Sequence, residues 1–136
     1  MATIVREVSI DAPAERVWDA LADIGALHTR LVPGFVADTK LEPGARIVTF
    51  GNGQVVKELI VTKDEPAKRL VWSATGGRLT HHNASAQVFA VGAKSCRFVW
   101  TADLLPDEMA PAIAGMIEQG VAIIKRTMEA APAPAA

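Results

Sequence analysis

The sequence predicts one α+β domain: a curved antiparallel sheet of seven strands wrapped around a long C-terminal helix, with two short helices after strand one. Three observations predict it. Six strand-length segments between residues 35 and 104 are separated by short polar or glycine-containing turns. One alternating strand and two helical stretches precede them. A final segment carries an apolar stripe at helical spacing, the partner that a sheet with one buried face requires.

The elements follow in order. Residues 3–10 alternate, with Ile4, Arg6, Val8 and Ile10 against Val5, Glu7 and Ser9, which reads as a strand with one partly exposed face. Asp11 is suited to cap the next helix and Pro13 to sit in its first turn. Val17, Trp18, Leu21 and Ile24 then recur at helical spacing. Gly25 ends that helix, and a second short one over 26–32 runs into Pro33-Gly34. Strands are expected over 35–41, 46–50, 55–62, 69–74, 81–91 and 97–104, with Gly51-Asn52-Gly53 a hairpin signal between the second and third of them. Pro106-Asp107-Glu108 opens the last segment. There Met109, Ile113, Met116, Ile117, Gly120, Val121, Ile124 and Met128 share one helical face. No repeat and no linker divides residues 1–129, while residues 130–136 (AAPAPAA) have little to pack and read as a disordered tail.

Composition narrows the function classes. A chain of 136 residues fits one domain. Half of it is hydrophobic and 21% is charged, enough apolar material for a core. The net charge is −1 with both signs scattered, so no basic block is present to track nucleic-acid phosphates. No apolar run approaches the roughly 20 residues of a membrane helix. Arg6, Glu7 and Asp11 stand where a secretory signal would be apolar. Cys96 is the lone cysteine and leaves no intrachain disulfide to form. A cytoplasmic monomer or weak homodimer is the expectation.

Three strings carry a resemblance: VSIDAPAERVWDALADI (8–24), VVKELIVTKDEPAKRLVWSATGG (55–77) and SCRFVWTADLLPDE (95–108). In this order and spacing they resemble the START-like, pollen-allergen superfamily of polyketide cyclase/dehydrase and lipid-transport proteins, over residues 4–128. The resemblance implies a helix-grip fold enclosing a pocket. The middle section is similar to the plant abscisic-acid receptors. That similarity puts Glu58, Trp72, Ala84, Ala86, Met116, Gly120 and Ile124 at positions that face the pocket there. The receptor's gate loop is replaced here by Gly51-Asn52-Gly53, its latch by Arg78-Leu79-Thr80, and no pocket lysine precedes the second strand. The hormone-receptor function and its phosphatase partner are therefore not implied.

On 81–91 the face His82, Ala84, Ala86, Val88, Ala90 is the more apolar and is expected inward, with His81 outward. On 55–62 periodicity does not choose between Val56, Glu58, Ile60 and Val55, Lys57, Leu59, Val61; the resemblance picks the Glu58 face. On the last strand Phe98, Trp100, Ala102 and Leu104 are expected inward. Glu58 is the sharpest candidate. A carboxylate in an apolar pocket holds its proton more tightly and can anchor a polar ligand group or act as a general acid or base. The plainer alternatives are an exposed glutamate beside Lys57 or one paired with an arginine. His82 is the second candidate, as a hydrogen-bonding group or a proton partner, against a rim histidine whose tip reaches water. Trp72 and Trp100 offer flat apolar walls or plain core filler. Gly120 costs a helix about 1 kcal/mol relative to alanine, so with Ala84 and Ala86 opposite it suggests space for a ligand or for the sheet.

No metal or other cofactor is expected: His81 and His82 point to opposite faces of a strand, and His28 lies in another element. Cys96 has no assigned base and reads as structural. The leading expectation is a binder of a small apolar molecule (aromatic, lipid or polyketide-like). The rivals are a cyclase or dehydratase using Glu58 and His82 for proton transfer, and an interaction module with an apolar outer sheet face, against which the polar His81, Asn83, Ser85 and Gln87 count.

Overall fold

The computed structural model describes residues 1–130. It contains β1 (Ala2–Ile10), α1 (Ala14–Ala22), β2 (Val36–Glu42), β3 (Ala45–Phe50), β4 (Val55–Asp64), β5 (Arg69–Thr75), β6 (His81–Gly92), β7 (Ser95–Leu105) and α2 (Ala110–Ala130). The seven strands form one antiparallel sheet in the order β1-β7-β6-β5-β4-β3-β2. Strands β2 to β7 meander through successive hairpins, and β1 adds itself to the free edge of β7 from Ala2↔Leu104 to Ile10↔Cys96. The expected α+β architecture is the observed one.

Tight turns shape the meander. Gly53 takes φ +90° and Asn52 Oδ1 accepts from the Gln54 amide, closing the β3–β4 hairpin. At Gly51 a Cβ would lie 2.5 Å from the Gly34 carbonyl oxygen, so only glycine lets the two loops touch. β4 carries a bulge between Ile60 and Thr62, and bulges add local bend to a strand.

Helix α2 is fastened to the β1 side of the sheet. Arg6 Nε donates to Glu118 at 2.9 Å, Lys125 Nζ to the Ser9 carbonyl at 2.6 Å, and the Asp11 amide to Glu129 at 2.9 Å. Its buried residues Ile117, Gly120, Val121, Ile124 and Met128 belong to the predicted stripe. Beneath them lie Ile4, Ile10, Phe98, Ala102 and Leu104 in one core. Between α1 and β2 the chain makes a 3₁₀ turn at Ile24–Ala26 and a π turn at Leu27–Leu31, which touch β2 and α2 and close one end of the curve.

Four local expectations are corrected. Asp11 does not cap α1; Pro13 occupies the N-cap, no side chain caps the helix, and the Asp11 amide is turned toward Glu129 instead. The second short helix is the 3₁₀ and π pair, because Gly25 and the short run before Pro33 leave no room for regular turns. Ala90 is exposed, since β6 runs past the covered part of the sheet and its register shifts between Ala90 and Gly92. Ala130 closes α2, and the rest of the expected tail lies outside the described residues.

Candidate functional site

A cavity of about 630 Å³ opens between the sheet and α2. Its origin is geometric: α2 is tied to the β1 side, while β5, β4 and β3 lie toward the other edge of the sheet. Trp72, Trp100, Ala86, Met116, Ile117 and Ile124 supply walls. Trp72 and Trp100 meet edge to face, centroids 5.8 Å apart, and Phe35 and Phe50 do the same at 5.6 Å, an arrangement aromatic rings favour. Gln54, Gly76, Gly77, Arg78 and Met109 also line the cavity.

A polar strip crosses this apolar wall. Arg46 on β3 pairs in register with Glu58 on β4, and Glu58 with Ala74 on β5. The β5–β6 ladder ends at Trp72↔Ala84, and the same register carried two residues further sets Ala74 across from His82. All four residues line the cavity. Arg46 Nε donates to Glu58 Oε1 at 2.8 Å; Nη1 donates to the Ile24 carbonyl at 3.3 Å, and the guanidinium lies 5.9 Å from the Trp72 ring centroid. Arg46 is 3% exposed and Glu58 is 7% exposed, the two buried charged residues among those described. Glu58 combines two of the expected readings: it faces the cavity and is at the same time paired with an arginine.

His82 is held in one role. The Ala74 amide donates to its Nδ1 at 2.9 Å, so the ring carries its proton on Nε2 and is a hydrogen-bond donor there. Burial, and then the nearby charge of His81, lower its pKa below the ordinary histidine value, which keeps the ring neutral. A neutral ring protonated at Nε2 cannot take a proton without giving up the Ala74 bond. Glu58 is engaged by a permanent cation. Both side chains are thus held by protein partners.

Two expected pocket positions do not line the cavity. Ala84 is 1% exposed and packed beneath the wall. Gly120 leaves room for the sheet, not for a ligand: a Cβ there would sit 2.7 Å from Cζ3 of Trp100. Trp18 is core, its Nε1 donating to Glu65 at 2.6 Å. Cys96 is buried, and desolvation followed by the charge of Glu15 raises its thiol pKa, which disfavours a thiolate. His28 bonds Thr39 at 3.1 Å.

Arg46 is the residue that sequence reasoning missed. A signal for it existed. Arg46 alternates in phase with Val48 and Phe50, and Arg46 and Glu58 stand equally far from Asn52, the centre of the hairpin turn. A turn centred there puts the two side by side.

Relatives fit this architecture. No curated protein sequence matches the chain. Among solved structures, a protein from Thermobifida fusca is 29% identical with a TM-score of 0.78, the match covering 95% of this chain and 91% of that one. Norcoclaurine synthase from Thalictrum flavum, solved as a point mutant with a transition-state analogue, is 20% identical with a TM-score of 0.73 over 93% of each chain. A START superfamily protein from Mycobacterium smegmatis is 12% identical with a TM-score of 0.72, over 93% and 94%. At 20% and 12% identity the last two speak for the fold alone. Among the described residues no helix is long and apolar enough to cross a membrane. The model of the family described as polyketide cyclase/dehydrase and lipid transport matches residues 1–129, and the chain belongs to that family.

Proposed function

We propose that this protein binds one small, largely apolar molecule in the cavity between its sheet and α2, with Glu58, Arg46 and His82 as the polar anchors. The observation that carries this reading is an aromatic and aliphatic cavity of about 630 Å³ with a buried Arg46–Glu58 pair facing into it. Ligand sites are concave, mainly apolar, and hold a few placed polar groups. Trp72, Trp100, Ala86, Met116 and Ile124 are the proposed apolar contacts.

The cyclase or dehydratase alternative requires groups that gain and lose protons. The Ala74–His82 bond and the Arg46–Glu58 pair weigh against it.

Native mass spectrometry on protein purified from its host, followed by extraction and identification of bound material, tests the reading. The expected result is a stoichiometric apolar compound that is lost in Ala74→Phe, which places a ring over the polar strip. An empty protein that shows no thermal shift with aromatics, lipids or polyketides would overturn it. Turnover of the extracted compound that collapses in Glu58→Gln with binding intact would replace binding by catalysis.

A further inference from the structure

We propose that the cavity selects a neutral ligand bearing a hydroxyl and a carbonyl along one edge, and excludes carboxylates. This rests on the binding function above and narrows its ligand class.

The ion pair is incompletely used by the protein. Arg46 spends Nε on Glu58 Oε1 and Nη1 on the Ile24 carbonyl. Among the described residues no hydrogen bond reaches Arg46 Nη2 or Glu58 Oε2, and neither atom is a fully buried orphan. Both side chains line the cavity. The strip thus offers a donor beside an acceptor. One ligand hydroxyl satisfies both, donating to Glu58 Oε2 while its oxygen accepts from Arg46 Nη2.

The other end of the strip has only a donor. His82 is tied at Nδ1 by the Ala74 amide, so its free Nε2–H calls for an acceptor that need not donate, as a carbonyl oxygen does. Ala74 sits between Glu58 and His82 and leaves the gap over it unfilled by a side chain. β4 and β6 lie two strand spacings apart, so the two ligand oxygens stand less than about 10 Å from each other.

Charge decides against an acid. The guanidinium is already neutralised by Glu58, and His82 carries no charge. A ligand carboxylate would bring a second anion beside Glu58 into a low-dielectric cavity, where like charges repel strongly. A neutral hydroxy-ketone meets the open atoms of the strip and adds no charge beside Glu58; Arg78, the other cation lining the cavity, lies outside the strip on the loop after β5.

Three probes on one bicyclic frame separate the possibilities: tetralin, a hydroxytetralone with its hydroxyl on the aromatic ring, and a tetralin carboxylate. Calorimetric titration of the intact protein at neutral pH should rank the hydroxytetralone at least tenfold tighter than either of the others. In the Arg46→Met/Glu58→Leu double variant, which removes the hydroxyl site and leaves the His82 donor, the advantage of the hydroxytetralone over tetralin should shrink severalfold, while the carboxylate stays weakest because its charge still enters an apolar cavity unpaired. A carboxylate that binds the wild type as tightly as the hydroxytetralone overturns the proposal. So does tetralin binding equally well, which would leave the apolar cavity standing and the polar strip unread. If none of the three binds, tetralin included, the cavity function falls and this selectivity falls with it.

Discussion

The Arg46–Glu58 pair sets the sharpest energetic test. Arg46→Met removes a cation that is 3% exposed, its bond to Glu58, its bond to the Ile24 carbonyl and its contact with Trp72. The carboxylate left behind is 7% exposed and has no other bond from the described residues. Breaking a buried pair on one side costs about 3–5 kcal/mol, a large share of the roughly 5–15 kcal/mol that holds a domain folded. Exchanging both charges for apolar groups of similar size is often close to neutral. The double variant Arg46→Met/Glu58→Leu should therefore lie within about 2 kcal/mol of wild type, well above Arg46→Met alone. Urea unfolding followed by tryptophan fluorescence on the wild type, both single variants and the double variant gives the coupling energy, expected at about 2 kcal/mol or more. Raising the salt concentration should hardly change it, because a buried pair is poorly screened. An Arg46→Met variant within about 1 kcal/mol of wild type, or a coupling that vanishes in salt, would show that water reaches the pair, and the argument from burial would fail.

Other perturbations follow from single contacts. Gly120→Ala should destabilise: the Cβ meets Trp100 at 2.7 Å, and overpacking costs about 1–3 kcal/mol against a helix-propensity gain of about 1 kcal/mol. Gly115→Ala on the same helix has open space around its Cβ and should stabilise by about 0.5–1 kcal/mol, both read from urea midpoints. His82 has a lowered folded pKa, so the unfolded chain takes up a proton near pH 6.5 that the folded chain refuses. Stability is then whole above that pH and declines as pH falls, and His82→Gln should flatten the decline between about pH 6.5 and 5. Glu129 is held below the usual carboxyl range by the Asp11 amide and then by Lys125. Its contribution is present at neutral pH and lost as pH falls through the folded pKa, so Glu129→Gln should lessen the acid sensitivity of unfolding below about pH 4.3.

The architecture was legible because each element carries its own period. Glycine and proline mark the turns of the meander, and the buried stripe of α2 runs from Ile117 to Met128 as spaced in the chain. The inward phase of β6 from His82 to Val88 follows from alternation alone. What local pattern could not supply were relations across the sheet. Periodicity leaves β4 ambiguous because Leu59 and Val61 are apolar yet exposed. Buried arginine is uncommon, so Arg46 was passed over until its cross-strand partner was known. Gly120 marks a place where space matters, and the occupant is the Trp100 ring, reached only once β7 is folded under α2. Local turn chemistry failed at Asp11, whose amide is taken by a residue 118 positions away.

These relations also explain why the cavity survives folding. Trp100 stands between β7 and α2 with its ring against Gly120, and it sets how closely helix and sheet approach. The bonds from Arg6, Lys125 and Asp11 fix α2 on the β1 side of that ring. The polar strip lies on the opposite side, on β3 to β6, where neither the ring nor those bonds need it. An ion pair in such a place adds little that well-packed leucine or methionine would not. Filling the space with such side chains would close the cavity, whereas an Arg–Glu pair keeps two polar atoms facing into it. The proposed ligand, uncharged, apolar over most of its surface and oxygenated along one edge, would give those two atoms their partners.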